Sequence, residues 1–316
     1  MASTSIHDLA EGHRHYVWNN AIEPALEIDP GEAVELHVRD ASDEQITATS
    51  GVEAIHALDF ARVNPVCGPV FVKGARPGDV LAVEILEFRP SDWGWTAIIP
   101  GFGLLADEFP DPWLRISKVD ETDGVRFAEN VRLPYRPFPG TIGVAPPEPG
   151  EHSVIPPSRF GGNVDVKHLR AGTTLYLPVG VAGALFSLGD THAAMGDGEV
   201  CGTAVESAMD VVVRLSVRRD FTVTAPQFHV PAPPPHDGEP TSYHVCTGVG
   251  PDLMEATRDA TRATIAYLGA RYGLERQEAY ALASVAADLR IHEVVDAPNW
   301  VVGMFLPEAI FEQDER

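Results

Sequence analysis

The chain has 316 residues, 44% hydrophobic and 22% charged, with 46 acidic against 23 basic side chains and a net charge of −23. That length and composition suit a globular protein with a large core, in one domain or two intimate ones. They argue against nucleic acid and anionic membranes as partners, since both reward clustered Lys and Arg, and no apolar run approaches the roughly 20 residues that cross a bilayer.

Cys67, Cys201 and Cys246 are too few and too scattered for a disulfide framework. Residues 1–8 carry no basic stretch followed by an apolar one, so no signal peptide is expected and the cytoplasm is the expected location. In chain order, the first two thirds read as short strands punctuated by turns. Pro30-Gly31 leads into Val34, Leu36 and Val38, alternating with Glu35, His37 and Arg39. Pro77-Gly78 leads into Leu81, Val83 and Ile85, and Ala171-Gly172 opens a third strand over residues 175–179. Each is a glycine turn feeding a strand with one apolar face. Residues 210–217 form another strand, rich in β-branched side chains. Residues 225–240 contain Pro231, Pro233, Pro234 and Pro235. Proline removes backbone donors, so this segment reads as a stiff surface connector and not a central strand.

Beyond the connector the period changes. Pro251 falls in the first turn of a helix, with Asp252 and Glu255 at its positive end. Leu253, Ala256, Ala260, Ala263 and Tyr267 follow at helical spacing, and Gly273 is the stop. A second helix over residues 275–289 is expected to bury Tyr280, Ala283 and Val285, and residues 291–307 return to strand. The expected architecture is mostly β with inserted helices, a late helical pair in a β-rich α+β chain. Residues 1–316 form one domain in this reading: β-rich over 1–224, connector over 225–240, helical insert and closing strands over 241–316.

Chemistry concentrates in residues 188–204, where Asp190, His192, Asp197 and Glu199 lie among Gly189, Gly196 and Gly198. Asp190 and His192 are two apart, so in an extended chain both leave one face and can offer oxygen and nitrogen to one metal ion. The plainer reading is a polar hairpin with Asp197-Gly198 at its turn. Asn163 and Asp165 have the same two-residue offset, although after Gly161-Gly162 they are also ordinary turn residues. Glu199 and Glu206 compete for an acid–base role, with Glu199 preferred. On a regular strand they face opposite ways, so both serve one site only if a bulge or turn intervenes. Cys201 falls on that strand beside Glu199 and reads as packing, because no local base lowers its pKa. His56, His168, His229, His244 and His292 could each reach a site through folding. The segment lacks the spacing of a calcium-binding EF-hand loop and the Lys-Ser/Thr ending of a phosphate loop.

The chain resembles the acetamidase/formamidase family over nearly its whole length. The matching segments are Gly68-Pro69-Val70-Phe71-Val72-Lys73-Gly74-Ala75, Pro100-Gly101-Phe102-Gly103, Ile142-Gly143-Val144-Ala145-Pro146, Gly161-Gly162-Asn163-Val164-Asp165, the Gly189-Asp190-Thr191-His192 stretch and Val294-Val295-Asp296-Ala297-Pro298-Asn299. Met195 stands where a glutamine is usual, Asn64 where a histidine is common and Lys73 where an acid is frequent. The resemblance implies a jelly-roll-like β-sandwich and hydrolysis of a small linear amide, such as formamide or acetamide, to carboxylate and ammonia. A metal can polarise the carbonyl and lower the pKa of water to about 7, and a carboxylate can shuttle the proton. The expected ligands are Asp165, Asp190 and His192 for a divalent ion, zinc first and calcium or manganese as alternatives. Glu199 and Glu206 are the acid–base candidates, with Asn163 and Asp197 around them. The expected partner is the amide substrate, and the expected assembly a homodimer or larger homo-oligomer. Alternatives are a larger amide or another C–N bond at the same site, or a non-catalytic β-sandwich that binds a small ligand.

Overall fold

The computed structural model describes residues 6–10, 12–231 and 242–311. The three glycine turns share one geometry. Gly31, Gly78 and Gly172 have φ of 95°, 92° and 91°. Glu32, Asp79 and Thr173 each donate a backbone hydrogen bond to the carbonyl three residues back. These are tight turns with the left-handed residue supplied by glycine. They launch strands Ala33–Val38, Val80–Pro90 and Thr174–Pro178. Val34, Leu36, Leu81, Val83, Ile85, Leu175 and Leu177 point inward from these strands and are buried, as the alternation requires.

The largest sheet has nine strands, in spatial order Ile6–Leu9, Ala33–Val38, Met209–Arg218, Val80–Pro90, Thr174–Pro178, Gln227–Val230, Tyr243–Gly250, Trp300–Pro307 and Asp288–Glu293. A six-stranded sheet runs Gly161–Asn163, Phe138–Val144, Phe186–His192, Val66–Val72 and Arg14–His15, with Leu26–Ile28 parallel to Val66–Val72. From Ala33–Val38 to Met209–Arg218 the long strands of these two sheets alternate between them along the chain, the path of a jelly-roll-like sandwich, and the strands that follow all extend the nine-stranded sheet. The inner faces share one core, with Leu36, Leu81, Val83, Val211 and Val213 against Val70, Phe138, Ile142, Phe186 and Leu188. A four-stranded sheet, Val131–Leu133, Gly124–Ala128, Trp113–Asp120 and Trp93–Ile98, stands beside the sandwich.

Three expectations for the C-terminal third are corrected. Gln227–Val230, inside the expected connector, is an interior strand hydrogen-bonded to Thr174–Pro178 and Tyr243–Gly250. Its prolines bracket the strand at Pro226 and Pro231, so the four residues between keep their backbone donors, and Phe228 and Val230 fill the core. Pro233, Pro234 and Pro235 lie outside the described residues. The first late helix, Leu253–Tyr272, is capped by Asp252, whose side chain accepts from the Glu255 N–H, and it ends at Gly273 with φ 70°. Pro251 therefore precedes the cap. The second helix is Arg276–Ala286, shorter than expected because Asp288–Glu293 is recruited to pair with Trp300–Pro307. Ala279 and Ala283, one turn apart, form its inward face, which leaves Tyr280 61% exposed. Among the described residues no helix is long and apolar enough to cross a membrane.

Candidate active site

Strand Phe186–His192 ends beneath a cavity that Asp190 lines, with His192 against Asp190 and Glu206, which both face into it. It pairs with Phe138–Val144 in a register that sets Phe138 against His192 and Thr141 against Gly189. Between those pairs lies Gly140. A Cβ added there would lie 2.5 Å from Asp165 Oδ1 and 2.8 Å from both Asp190 Oδ2 and His192 Cε1. Glycine is therefore what lets these side chains converge. The Gly140 carbonyl also accepts from the backbone N–H of Val164 and of Asp165 at 2.9 and 3.2 Å, which folds the end of strand Gly161–Asn163 so that Asp165 turns inward.

The convergence is tight and buried. His192 Nε2 lies 3.3 Å from Asp190 Oδ1 and 3.1 Å from Glu206 Oε2, and Nδ1 lies 3.9 Å from Asp165 Oδ1. Asp190 Oδ2 accepts from Asn64 Nδ2 at 3.2 Å and Thr141 Oγ1 at 3.4 Å. Asn163 accepts from Thr141 Oγ1 at 2.5 Å and donates to Asp296 Oδ2 at 2.6 Å. Asp165, Asp190, Glu199, Glu206 and Asp296 are all buried. Asp165, Asp190 and Glu199 hold φ of 45°, 54° and 45°. Three left-handed carboxylate residues in one buried site are strain of the kind that accumulates where geometry serves function.

Glu199 and Glu206 both reach this site because residues 199–205 are turn and loop, not strand. Gly202 N–H bonds back to the Glu199 carbonyl at 2.7 Å, reversing the chain between them. Glu206 is fixed by paired backbone hydrogen bonds with Trp95 and by the Ala204 N–H on its Oε1 at 2.7 Å. Cys201, expected on the same strand as Glu199, lies instead half-buried in this turn, and its thiol donates to the carbonyls of Ala97 and Thr203. Asp197 is turned away from the cavity, 2.7 Å from Lys167 Nζ and 3.6 Å from His292 Nδ1, beside His168.

Burial pushes Asp165 and Glu199 well above the usual carboxylate range and raises Glu206 and Asp296 each to about 7, with neighbouring carboxylates adding to the effect. Burial opposes a charged His192, but Glu206 and Asp190 outweigh it and raise the imidazole well above its ordinary value. Burial also opposes charge on Asp190, and there His192 wins and holds the carboxyl low. The common cause is five buried carboxylates sharing one imidazole, a surplus of negative charge that a bound cation would relieve.

The residues present fit such an ion. Asp165, Asp190 and His192 offer donor atoms within 4.8 Å of one another. Both Asp165 oxygens and both His192 nitrogens are buried without a well-aligned hydrogen bond among the described residues, although His192 Nε2 stays within ion-pair range of Asp190 and Glu206. Carboxylate and imidazole donors suit zinc or manganese. The cavity above them is about 60 Å³. Its floor is Asn163, Asp190, Glu199, Glu206 and Asp296, and its walls include Leu58, Phe60, Val63, Ile99 and Phe102. Met195 is not part of that lining and packs partly buried against the core. Sequence reasoning missed Gly140 and Thr141 as site-builders and gave Asp296 no role, although the Val294–Asn299 resemblance contained it.

A jelly-roll-like sandwich with a buried carboxylate–imidazole centre under a small cavity has the groups that hydrolysis of a small substrate requires. The model of the acetamidase/formamidase family matches residues 3–151 and 147–313, and the chain belongs to that family. It is 26% identical to a formamidase of Methylophilus methylotrophus over 97% of this chain and 91% of that protein. Its fold superposes on crystal structures of acetamidases from Bacillus halodurans (TM-score 0.85, 32% identity, 96% of this chain and 98% of that one) and Yersinia enterocolitica (TM-score 0.86, 32% identity, 98% and 94%). The chain is thus an amidase, a hydrolase of linear amides.

Proposed function

We propose that the chain cleaves a small amide of the formamide or acetamide kind to carboxylate and ammonia, using a divalent ion held by Asp165, Asp190 and His192. The observation that carries this reading is the buried convergence of Asp165, Asp190 and His192, whose Asp165 and His192 donor atoms lack well-aligned hydrogen bonds, beneath a cavity of about 60 Å³, room for a molecule of only a few heavy atoms. Zinc is the first choice, with manganese or calcium as alternatives. A divalent ion there supplies a Lewis acid for the amide carbonyl and acidifies water.

The protein's own residues do the rest. Asn64 and Thr141 fix Asp190, and Asn163 fixes Asp296, so the carboxylates meet the substrate already oriented. Glu206, with Oε1 tied to the Ala204 N–H and Oε2 facing His192 Nε2, takes the proton from the attacking water. The water oxygen bonds to the carbonyl carbon, the C–N bond breaks, and the proton passes to the leaving nitrogen as ammonia. Glu199 is the other candidate for that proton. The apolar walls keep bulk water and charged amides out.

Site residues are drawn from Asn64 through Asp296, which supports 1–316 as one domain. Three free cysteines support a reducing, cytoplasmic location. Phe102, Leu104, Leu105 and Phe109, all exposed on one segment, support a homo-oligomer. The test is ammonia release from a panel of short amides by protein loaded with Zn²⁺, Mn²⁺ or Ca²⁺ and by chelated protein. Turnover of formamide or acetamide that chelation abolishes is expected. Turnover of larger amides alone would move the assignment to another C–N bond, and no turnover with any ion would remove it.

A further inference from the structure

We propose that a cavity apart from the active site binds a phosphate group, free or carried on a small ester, between Arg14 and Arg39. The cavity has a volume of about 250 Å³, against about 60 Å³ for the active-site cavity, and the two share no lining residue. It lies where the edge strand Arg14–His15 of the six-stranded sheet meets Ala33–Val38, Met209–Arg218 and Val80–Pro90 of the nine-stranded one. Its lining brings together Arg14, Arg39, Arg89, His13 and His37, in a chain with 23 basic residues against 46 acids. Glu44 and Asp210 are the acids that line it.

Carboxylates hold these side chains in place without using up their donors. Asp43 is buried and gathers three arginines: Arg14 Nε lies 3.2 Å from its Oδ1, Arg39 Nη1 donates to Oδ1 at 3.3 Å, and Arg62 Nη2 donates to Oδ2 at 2.5 Å. Glu44 Oε2 lies 2.7 Å from Arg39 Nη1, so two carboxylates meet three guanidinium groups and one positive charge is left over. The one side-chain hydrogen bond that Arg14 makes is also from Nε, to Tyr16 Oη at 3.1 Å. Among the described residues, Nη1 and Nη2 of Arg14 and Nε and Nη2 of Arg39 therefore make no hydrogen bond. Arg89 differs, since Glu87 and Glu35 engage all three of its nitrogens, and it frames the cavity instead. Asp210 stands opposite both His37 and Arg89 in the sheet and meets His37 Nδ1 at 2.6 Å. That bond, with burial opposing it, raises the His37 pKa, so the imidazole helps to offset the Asp210 charge.

The open donors select the ligand. A guanidinium presents paired N–H groups in one plane, a fork that matches two oxygens of a carboxylate or a phosphate. Two forks call for an anion with more than two oxygens, which a phosphate has and a carboxylate lacks. The volume leaves room for a phosphate and a few more heavy atoms. An ordinary surface ion pair contributes little to stability and needs no cavity beside it. With a net charge of −23 the surface as a whole repels anions, so binding here has to come from these donors and not from a general basic field.

The experiment is isothermal titration of the full chain with inorganic phosphate and with glycerol phosphate at constant ionic strength. Crystals soaked in selenate, a tetrahedral oxyanion with an anomalous signal, locate the site. Saturable binding is expected, with selenate between Arg14 and Arg39. Arg14→Gln and Arg39→Gln should each weaken phosphate about tenfold or more, the scale of a lost hydrogen bond to a charged group. Tighter binding of glycerol phosphate would assign the site to an ester, and tighter binding of inorganic phosphate to the free anion. Phosphate held by the active-site centre instead would survive both substitutions and place selenate in the smaller cavity, which overturns the proposal. No saturable binding of either ligand overturns it as well. If Arg14→Gln fails to fold because Asp43 has lost a partner, Arg39→Gln and the selenate position decide.

Discussion

Two His–Asp clusters flank the turn at residues 196–199, the first buried throughout and the second with Asp197 partly exposed, and they are balanced in opposite ways. In one, Asp165, Asp190 and His192 join Glu199, Glu206 and Asp296 with no Lys or Arg among the cavity residues. In the other, Asp197 meets His168 and His292, but Lys167 Nζ lies 2.7 Å from Asp197 and Arg290 Nη1 lies 3.2 Å from His168 Nε2. There Lys167 and His292 hold the Asp197 carboxyl low, while burial pushes His168 down to about 3 and also lowers His292. Asp197 carries its charge against a lysine, and the imidazoles stay neutral. What separates a candidate metal centre from a structural tie is the charge left over, not the presence of histidine and aspartate. The tie has its own use: Asp197 and the bond from Gly198 N–H to the His292 carbonyl at 2.8 Å hold the turn that presents Glu199.

The sharpest way to break this contrast is to truncate both clusters. Asp190→Ala and His192→Ala should each lose bound metal and lower turnover by about 10²-fold or more, since a missing ligand leaves the coordination incomplete. His168→Gln should keep the metal in full. Elemental analysis of the purified variants reads the result, and full occupancy in the first two would remove them as ligands. Next in size is Glu206→Gln, which should retain metal and turn over about 10²-fold slower, the usual cost of removing a positioned proton carrier. Loss of metal from this variant would make Glu206 a ligand instead.

Much of this site could be read in the sequence, and the limit was distance along the chain. The two-residue offset of Asp190 and His192 fixed their common face because a strand imposes it locally. The same rule misplaced Cys201, because the turn closed by Gly202 breaks the strand that the rule assumed. Gly140 and Asp296 were silent: each matters through contacts with residues 25 to 133 positions away, such as Asp165 and Asn163. The strand Gln227–Val230 was hidden by counting prolines instead of asking which backbone donors they spare. The glycine turns and the helix stop at Gly273 were legible because their causes lie within four residues, whereas Asp252 was read only as a charge at the positive end and is the cap itself.

The charge surplus also predicts a pH dependence that metal should erase. In the metal-free protein Glu206 and Asp296 are raised to about 7 and Glu293 to about 8, all by burial first. A carboxyl whose folded pKa exceeds its unfolded value near 4 binds more protons when folded, so stability falls as pH rises between those values. His192, also raised, works in the same direction, and Asp190, held low, contributes nothing across this range because it is ionised in both states there. Chelated protein should therefore melt a few degrees lower at pH 8 than at pH 5.5, and loaded protein should show a flatter profile. A chelated protein that melts higher at pH 8 would contradict the surplus.

The smallest effect is expected at Cys201, and it separates attack by water from attack by a thiolate. A nucleophilic cysteine needs a neighbouring base or cation to lower its pKa. The Cys201 thiol has only the carbonyls of Ala97 and Thr203 and the Thr203 hydroxyl as hydrogen-bond partners, and none of these takes its proton. It does not line the active-site cavity; it lines a second one with Met195 and Val205, which shares Glu199 and Thr203 with the first. Cys201→Ser should therefore keep most of the turnover and all of the metal. Any deficit should appear in denaturant unfolding as about 1 kcal/mol or less, the scale for a small, half-buried side chain. A thiolate mechanism demands the opposite: a dead, well-folded, metal-loaded variant, and an acyl-enzyme on the wild-type cysteine by mass spectrometry. That pattern would move the chemistry from the carboxylate–imidazole floor to the turn above it, and the charge contrast between the two clusters would then say nothing about catalysis.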